Sequence, residues 1–336
     1  MIDTQRIRKY TEDVLQNLDN GIEDDFKHIM NNQLSLSDFV DLWLELFKKN
    51  SVKSASYSRL LCSRDVMKKY DISQKKICEI SYFDLQRYIN ALVEDGYSLS
   101  NIKKQVLIVT APLRQAAAMR IIGADPSVGI RMPVEAKVKK KTKEVVAYTE
   151  KEQEKIWKKI VQEPNNVGYA AITFAMETGL RAGELLALRW SDVELDRCRI
   201  KVHATIVNLM YNTAEYQDSA KSKSSNRVIP LTPKAIMILK RLKERRTTEW
   251  VFEQDGQRYT YQKLVYQTKK LCRESGVKYH GEHVFRHTFA TNCYYKGIDI
   301  KILSKLMGHS SVQVTYNIYI NLYGDGFDDM YAALCF

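Results

Sequence analysis

His283-Val-Phe-Arg286-His287, then Gly308-His309, then Val314-Thr-Tyr-Asn-Ile-Tyr319-Ile320 fall in one stretch near the C-terminal end, and its reading decides the rest. Four of the six histidines lie between 280 and 309. Imidazole, guanidinium and phenol at such density suit chemistry on a phosphate: cations hold the anion, imidazoles move protons and a phenol attacks. Read alone, the stretch fits two other arrangements. His280, His283 and His287 stand at i, i+3 and i+7, and His283/His287 have the i, i+4 spacing of a zinc-binding helix. The Glu of a His-Glu-x-x-His motif is absent, since Val284 and Phe285 follow His283. A packed aromatic helix is the third arrangement, and the remaining sequence must decide.

At 336 residues the chain exceeds one typical domain and points to two. A hydrophobic content of 45% is ample for buried cores. The net charge of +12 favours a polyanionic partner. Nucleic acid is favoured over a membrane, because no stretch approaches the ~18 uninterrupted apolar residues of a spanning helix. No apolar run follows Met1-Ile-Asp-Thr-Gln-Arg6, so no signal peptide is expected. The six cysteines are scattered without a Cys-x-x-Cys pair, which fits reduced thiols and a cytoplasmic location.

Residues 1–33 are polar and read as a helical extension of open role. Leu36, Phe39, Val40, Trp43, Leu44 and Phe47 then mark one face of an amphipathic helix. Further helices are expected over 56–69, 81–94 and 100–122, giving an all-α domain over 34–130. Its basic residues, among them Arg64, Lys68 and Arg114, would face a phosphate backbone if the partner is DNA. Residues 131–147 carry Lys137, Lys139, Lys140, Lys141 and Lys143 with little periodicity, and read as a basic interdomain linker able to follow a backbone groove.

The second domain, 148–336, opens with capping-box spacing at Thr149 and Glu152. Helices are expected to 161, over 166–177 and from Leu180. Alternation over Arg199–Val207 reads as one strand, with shorter strands near 214–221 and 227–231 around a turn at 221–226. Thr232 and Pro233 start a basic helix, and helices are expected over 260–275, 283–296, 299–307 and 311–321. The fold class is therefore mainly α, with a small antiparallel sheet in the second domain.

Thr178-Gly-Leu-Arg181-Ala-Gly-Glu184, Lys221-Ser-x-x-Ser225-x-Arg227, His283-x-x-Arg286-His287 and Leu306-Met-Gly-His309, with Tyr319 ten residues on, resemble in order and spacing the boxes of the tyrosine recombinases, the phage-integrase family. The resemblance covers most of residues 35–320. Phe285 and Met307 stand where that family commonly has Leu, and residues 1–33 do not resemble its sheet-containing arm-binding domain. The resemblance implies a two-domain DNA clamp, with a SAM-like helical core-binding domain and a catalytic domain.

It also implies roles. Tyr319 attacks the phosphodiester and leaves a 3′-phosphotyrosyl link and a free 5′-hydroxyl; Tyr316 fits the spacing poorly. Arg181 and Arg286 hold the non-bridging oxygens, where one lost donor costs about 3–4 kcal/mol. His283 is the general base, His309 a donor to the phosphate, and Lys221, rather than neighbouring Lys223, protonates the leaving oxygen. Glu184 and His287 support. Lys223, Arg227 and the linker lysines are expected to contact DNA. Bond energy is kept in the covalent link, so neither metal nor ATP is implied. The expected partners are double-stranded attachment or core sites, a tetramer of this chain, and possible DNA-bending or excision factors. Phe327, Met330, Tyr331 and Leu334 fall on one helical face that would dock within the chain or on a neighbouring subunit. A DNA binder with the architecture but no catalysis, a metal-dependent hydrolase using His280, His283 and His287, and a type IB topoisomerase are the alternatives.

Overall fold

The computed structural model describes residues 34–134, 137–138, 146–208, 213–218 and 226–316. Contacts divide the chain into two compact units, with the break after Thr142.

In the first unit, α1 (Leu36–Trp43) starts where the Ser35 hydroxyl accepts the Asp38 N–H. Leu36, Phe39, Val40 and Trp43 are buried, as their spacing requires. Phe47, expected on the same face, is 37% exposed. The cause is local. Over Leu44–Lys48 the chain widens into a π turn, closed by the Lys49 N–H on the Leu44 carbonyl, and later side chains rotate out of phase. After α2 (Ser54–Met67), two 3-10 turns, Asp71–Gln74 and Ile77–Glu79, lead to α3 (Tyr82–Glu94), which starts in a Ser81/Asp84 capping box.

α4 (Leu99–Ala118) ends short of the expected Ile122, where Arg120 turns to φ 58°. Leu92, Ile102, Val109 and Leu113 form the centre of the core. The stretch read as a linker begins docked on this unit. Gln86 and Arg131 exchange two hydrogen bonds of 3.1 Å, and Val138 is buried in the core. Arg64 and Lys68 are not free for a phosphate, since Asp41 accepts from them at 2.9 and 2.7 Å.

The second unit is anchored at Tyr148, which is buried and donates its N–H to the Thr288 hydroxyl at 2.9 Å. Its helices are α5 (Glu150–Ile160), α6 (Val167–Thr178), α7 (Ala182–Ala187), α8 (Pro233–Glu244), α9 (Tyr261–Ser275), α10 (His283–Tyr295) and α11 (Ile300–Met307). The Thr149/Glu152 capping box starts α5, and Thr232 caps α8 with Pro233 inside its first turn. α6 is the hub: Tyr169, Ile172 and Phe174 are fully buried, with α8, α9 and α10 packed around them.

Among the described residues, three small antiparallel sheets replace the single one expected. β1 (Val193–Glu194), β2 (Arg199–Val202) and β5 (Arg227–Pro230) form one; β3 (Ala204–Asn208) pairs with β4 (Ala214–Asp218); β6 (Glu253–Gln254) pairs with β7 (Gln257–Arg258). The single strand read over Arg199–Val207 is two strands in different sheets, separated at His203, whose Nε2 lies 2.8 Å from Asp192 Oδ1. Alternation could not reveal the break. Ile200, Val202, Ala204 and Ile206 are all buried, so the parity continues across it. Gly183 lets α7 lie on β3, because a Cβ there would stand 2.5 Å from the Ile206 carbonyl. Among the described residues no helix is long and apolar enough to cross a membrane.

Candidate active site

The site is built on the C-terminal end of α11. Asp299 caps the start of this helix, accepting from the Lys301 and Ile302 N–H groups at 2.8 and 3.2 Å. Leu303 and Met307 are fully buried and fix its rotation. At the far end Gly308 takes φ 62°, which lets the His309 N–H close on the Ser304 carbonyl and the Gly308 N–H on that of Lys305.

The next three carbonyls each accept from an arginine. Arg227 Nε donates to Leu306 O at 2.7 Å, Arg286 Nη2 to Met307 O, and Arg181 Nη2 to Gly308 O at 3.0 Å. These donors come from three separate elements. Arg227 opens β5, Arg286 lies one turn into α10, and Arg181 is the N-cap of α7. Arg181 can stand there because Gly179 ends α6 at φ 65°, and a Cβ at that glycine would strike the Phe289 ring. Arg286 ties the same turn down, with Nη1 on Gly179 O at 2.6 Å.

One carboxylate serves the group. Glu184 accepts the Arg181 N–H at 2.9 Å and Arg181 Nη1 at 2.8 Å, so it both starts α7 and orients the guanidinium. Arg227 grips it through both oxygens, at 3.0 and 2.7 Å. Burial alone would raise the Glu184 carboxyl; the Arg227 bonds and charge, then Arg181, outweigh it and hold the group at about 2. Arg227 was expected to face DNA. Instead its side chain is only 6% exposed, and each of its three nitrogens has an internal acceptor.

Two imidazoles sense this charge. Burial, then the Arg286 and Arg181 cations, push His283 below its usual value and His309 down to about 4. His309 Nδ1 lies 2.7 Å from the fully buried Thr315 hydroxyl. His287 is pushed to about 4 by burial and then by His283 and Arg286; its Nδ1 is buried and has no hydrogen-bond partner among the described residues. Burial, then the Arg181 charge, likewise lower Arg286, to about 9, against the opposing pull of Glu184. The His280 ring lies edge-on to Tyr148, and among the described residues no three His, Cys, Asp or Glu side chains are placed to hold a metal.

Sequence reasoning missed Thr315 and the anchor of α10. Glu282, the residue before His283, accepts from the Tyr261 and Tyr279 hydroxyls at 3.0 and 2.8 Å. Tyr261 is 21 residues from Glu282, and Tyr279, three residues before it, lies outside any helix, so no periodic signal marked them. Tyr319, Lys221, Lys223, Lys139, Lys140, Lys141 and Lys143 lie outside the described residues, as does the tail from Phe327 to Leu334. Lys137 is exposed on the first unit.

The chain is similar to known proteins in sequence and fold. A XerC-like tyrosine recombinase of Caldanaerobacter subterraneus subsp. tengcongensis is 27% identical, across 93% of this chain and 84% of its own length. The ICEBs1 integrase of Bacillus subtilis is 24% identical, across 74% and 68%. The fold is that of the Tn1549 transposon integrase solved with a circular intermediate DNA: TM-score 0.73 at 18% identity, covering 90% of this chain and 100% of that one. The model of the phage integrase family matches residues 139–324. Arginine cluster, fold and family model agree, and the chain belongs to the phage integrase family of tyrosine recombinases.

Proposed function

We propose that this chain cuts and rejoins DNA at specific sites, integrating or excising a mobile element, with Tyr319 as the nucleophile. The Tyr319 oxygen attacks phosphorus, its proton passes to His283, and the 5′-oxygen leaves with a proton from Lys221. A 3′-phosphotyrosyl link and a 5′-hydroxyl result, and attack by a 5′-hydroxyl reverses the step on a new partner. The observation that carries the reading is the set of arginines on carbonyls 306–308. Those acceptors bear no net charge, so they position Arg181 and Arg286 without cancelling them, and the Glu184 carboxylate that Arg181 also meets is shared with Arg227. Three guanidiniums against one carboxylate leave room for the charge of an incoming phosphate.

The depressed His283 value keeps that ring neutral near pH 7, the form a base requires. His309 is neutral too, and the tautomer in which Nδ1 accepts from the Thr315 hydroxyl is the one that carries its proton on Nε2, where it can donate a hydrogen bond to a phosphate oxygen. The helical unit is assigned to core-site binding, with the lysines of 137–143 on the DNA backbone. A tetramer on two duplexes, with accessory factors, is the assembly such an exchange requires.

The test is adduct formation. Nicked suicide duplexes carrying candidate core sites are incubated with the protein in EDTA. A covalent protein–DNA band is expected, and Tyr319→Phe removes it. An adduct that persists in Tyr319→Phe, or one that forms only with added metal, overturns the assignment.

A further inference from the structure

Arg227 is the deepest cation at the site that no step of the chemistry uses. Its side chain is 6% exposed, against 38% for Arg181. It cannot meet a phosphate arriving from solvent, yet it holds both oxygens of Glu184, the carboxylate that Arg181 meets among the described residues.

Consider the site without it. A carboxylate facing an arginine forms the bidentate fork that both geometries favour, and that pair is neutral. Glu184 does not treat Arg181 so. It accepts one hydrogen bond from the Arg181 side chain, Nη1 to Oε1, while Oε2 accepts the Arg181 main-chain N–H. The Nη2 edge rests on the Gly308 carbonyl, which carries no net charge. What stops Glu184 from closing on Arg181 is Arg227, which is itself pinned through Nε to Leu306 O at 2.7 Å.

We propose that Arg227 is a positioning residue: by holding Glu184 in a bidentate pair anchored to the Leu306 carbonyl, it keeps Arg181 singly bonded and charged for the scissile phosphate. The proposal rests on the phosphoryl-transfer reading above. It divides labour among three similar side chains: Arg181 and Arg286 for the anion, Arg227 for the carboxylate. The cluster of three guanidiniums and one carboxylate then keeps its two positive charges where the substrate arrives.

The experiment compares wild type with Arg227→Met, Arg227→Lys and the double variant Arg227→Met/Glu184→Gln. Single-turnover adduct formation on saturating suicide DNA is measured beside DNA affinity. Arg227→Met is expected to slow the adduct roughly 100-fold, the order lost with one preorganised donor, with affinity nearly unchanged. Arg227→Lys, with charge but one contact, falls between. The double variant regains about tenfold, because a neutral amide does not capture Arg181 and no unpaired buried carboxylate is left to unfold the site.

A double variant as slow as Arg227→Met overturns the proposal, since Arg227 would then serve only the fold. A loss confined to DNA affinity also overturns it, by placing Arg227 on the DNA. The free protein gives an independent reading that needs no DNA. Hydrogen exchange of the Arg181 guanidinium, followed by nitrogen-15 NMR, slows in Arg227→Met as the fork closes; unchanged exchange rejects the proposal. If wild type forms no adduct on any duplex, the functional reading fails while this exchange still decides the role of Arg227.

Discussion

In the first unit, Asp84 is 6% exposed and holds Lys75 at 2.7 Å and Arg87 at 2.6 Å, while those cations are 43% and 75% exposed. Asp41 likewise holds two cations, Arg64 and Lys68, though these are more deeply set, at 14% and 23% exposed. There each charge finds its opposite. The arginine cluster of the second unit inverts this. Arg286 and Arg227 are buried almost completely, and apart from one carboxylate among the described residues the cluster's acceptors are main-chain carbonyls. A carboxylate cancels a cation; a carbonyl only aims it. The first unit therefore uses ion pairs to hold helices together, and the second uses dipoles to hold charge in reserve.

Substitutions can break this contrast. The largest effect is expected at Arg181→Ala, which removes an aimed donor: adduct formation falls by ~3–4 kcal/mol of transition-state stabilisation while DNA retention persists. If retention is lost in step with cleavage, the second unit uses arginine merely to bind. Asp41→Asn tests the other side. It takes the carboxylate charge from Lys68 and leaves Arg64 only its Asp65 pair, and is expected to cost ~1–3 kcal/mol of stability by denaturant melt, with the adduct rate on saturating DNA unchanged; a slowed rate would give the first unit a part in the chemistry.

Thr315→Val keeps the side-chain shape and removes the partner of His309 Nδ1. About 1.4 kcal/mol, a tenfold slower adduct, is expected with little change in melting temperature. An unaltered rate would show that the tautomer does not matter. The smallest effect is that of pH. A base works neutral, and His283 is held below its ordinary 6.5, so adduct formation should rise with pH through a midpoint under that value and be flat from pH 7 to 8. A midpoint above 7 would mean that the reserve of positive charge does not reach His283.

The sequence made helix ends readable because caps are local. Thr149 with Glu152 and Thr232 with Pro233 stand where a backbone group needs them. Arg181, Glu184, Arg286 and His309 were legible by motif, and the folded chain brings them to one place. Arg227 was misread because its partners, Glu184 and Leu306, are 43 and 79 residues away, and nothing local separates a buried arginine from an exposed one. The β6–β7 hairpin was missed although Asp255-Gly256 is a turn pair, with φ 56° and 71°; its two-residue strands carry no alternation to accompany the turn. The π turn at Leu44–Lys48 left no mark in the hydrophobic spacing.

The carbonyl row from Leu306 to Gly308 has a consequence for how this segment tolerates change. Backbone acceptors do not depend on side-chain identity, so an exposed position such as Ile302 can vary without touching them. Length is another matter. Inserting or deleting one residue in α11 would turn the row by about 100° and shift it about 1.5 Å along the axis, and three guanidiniums from three elements would lose register together. The segment is forgiving of spelling and strict about counting.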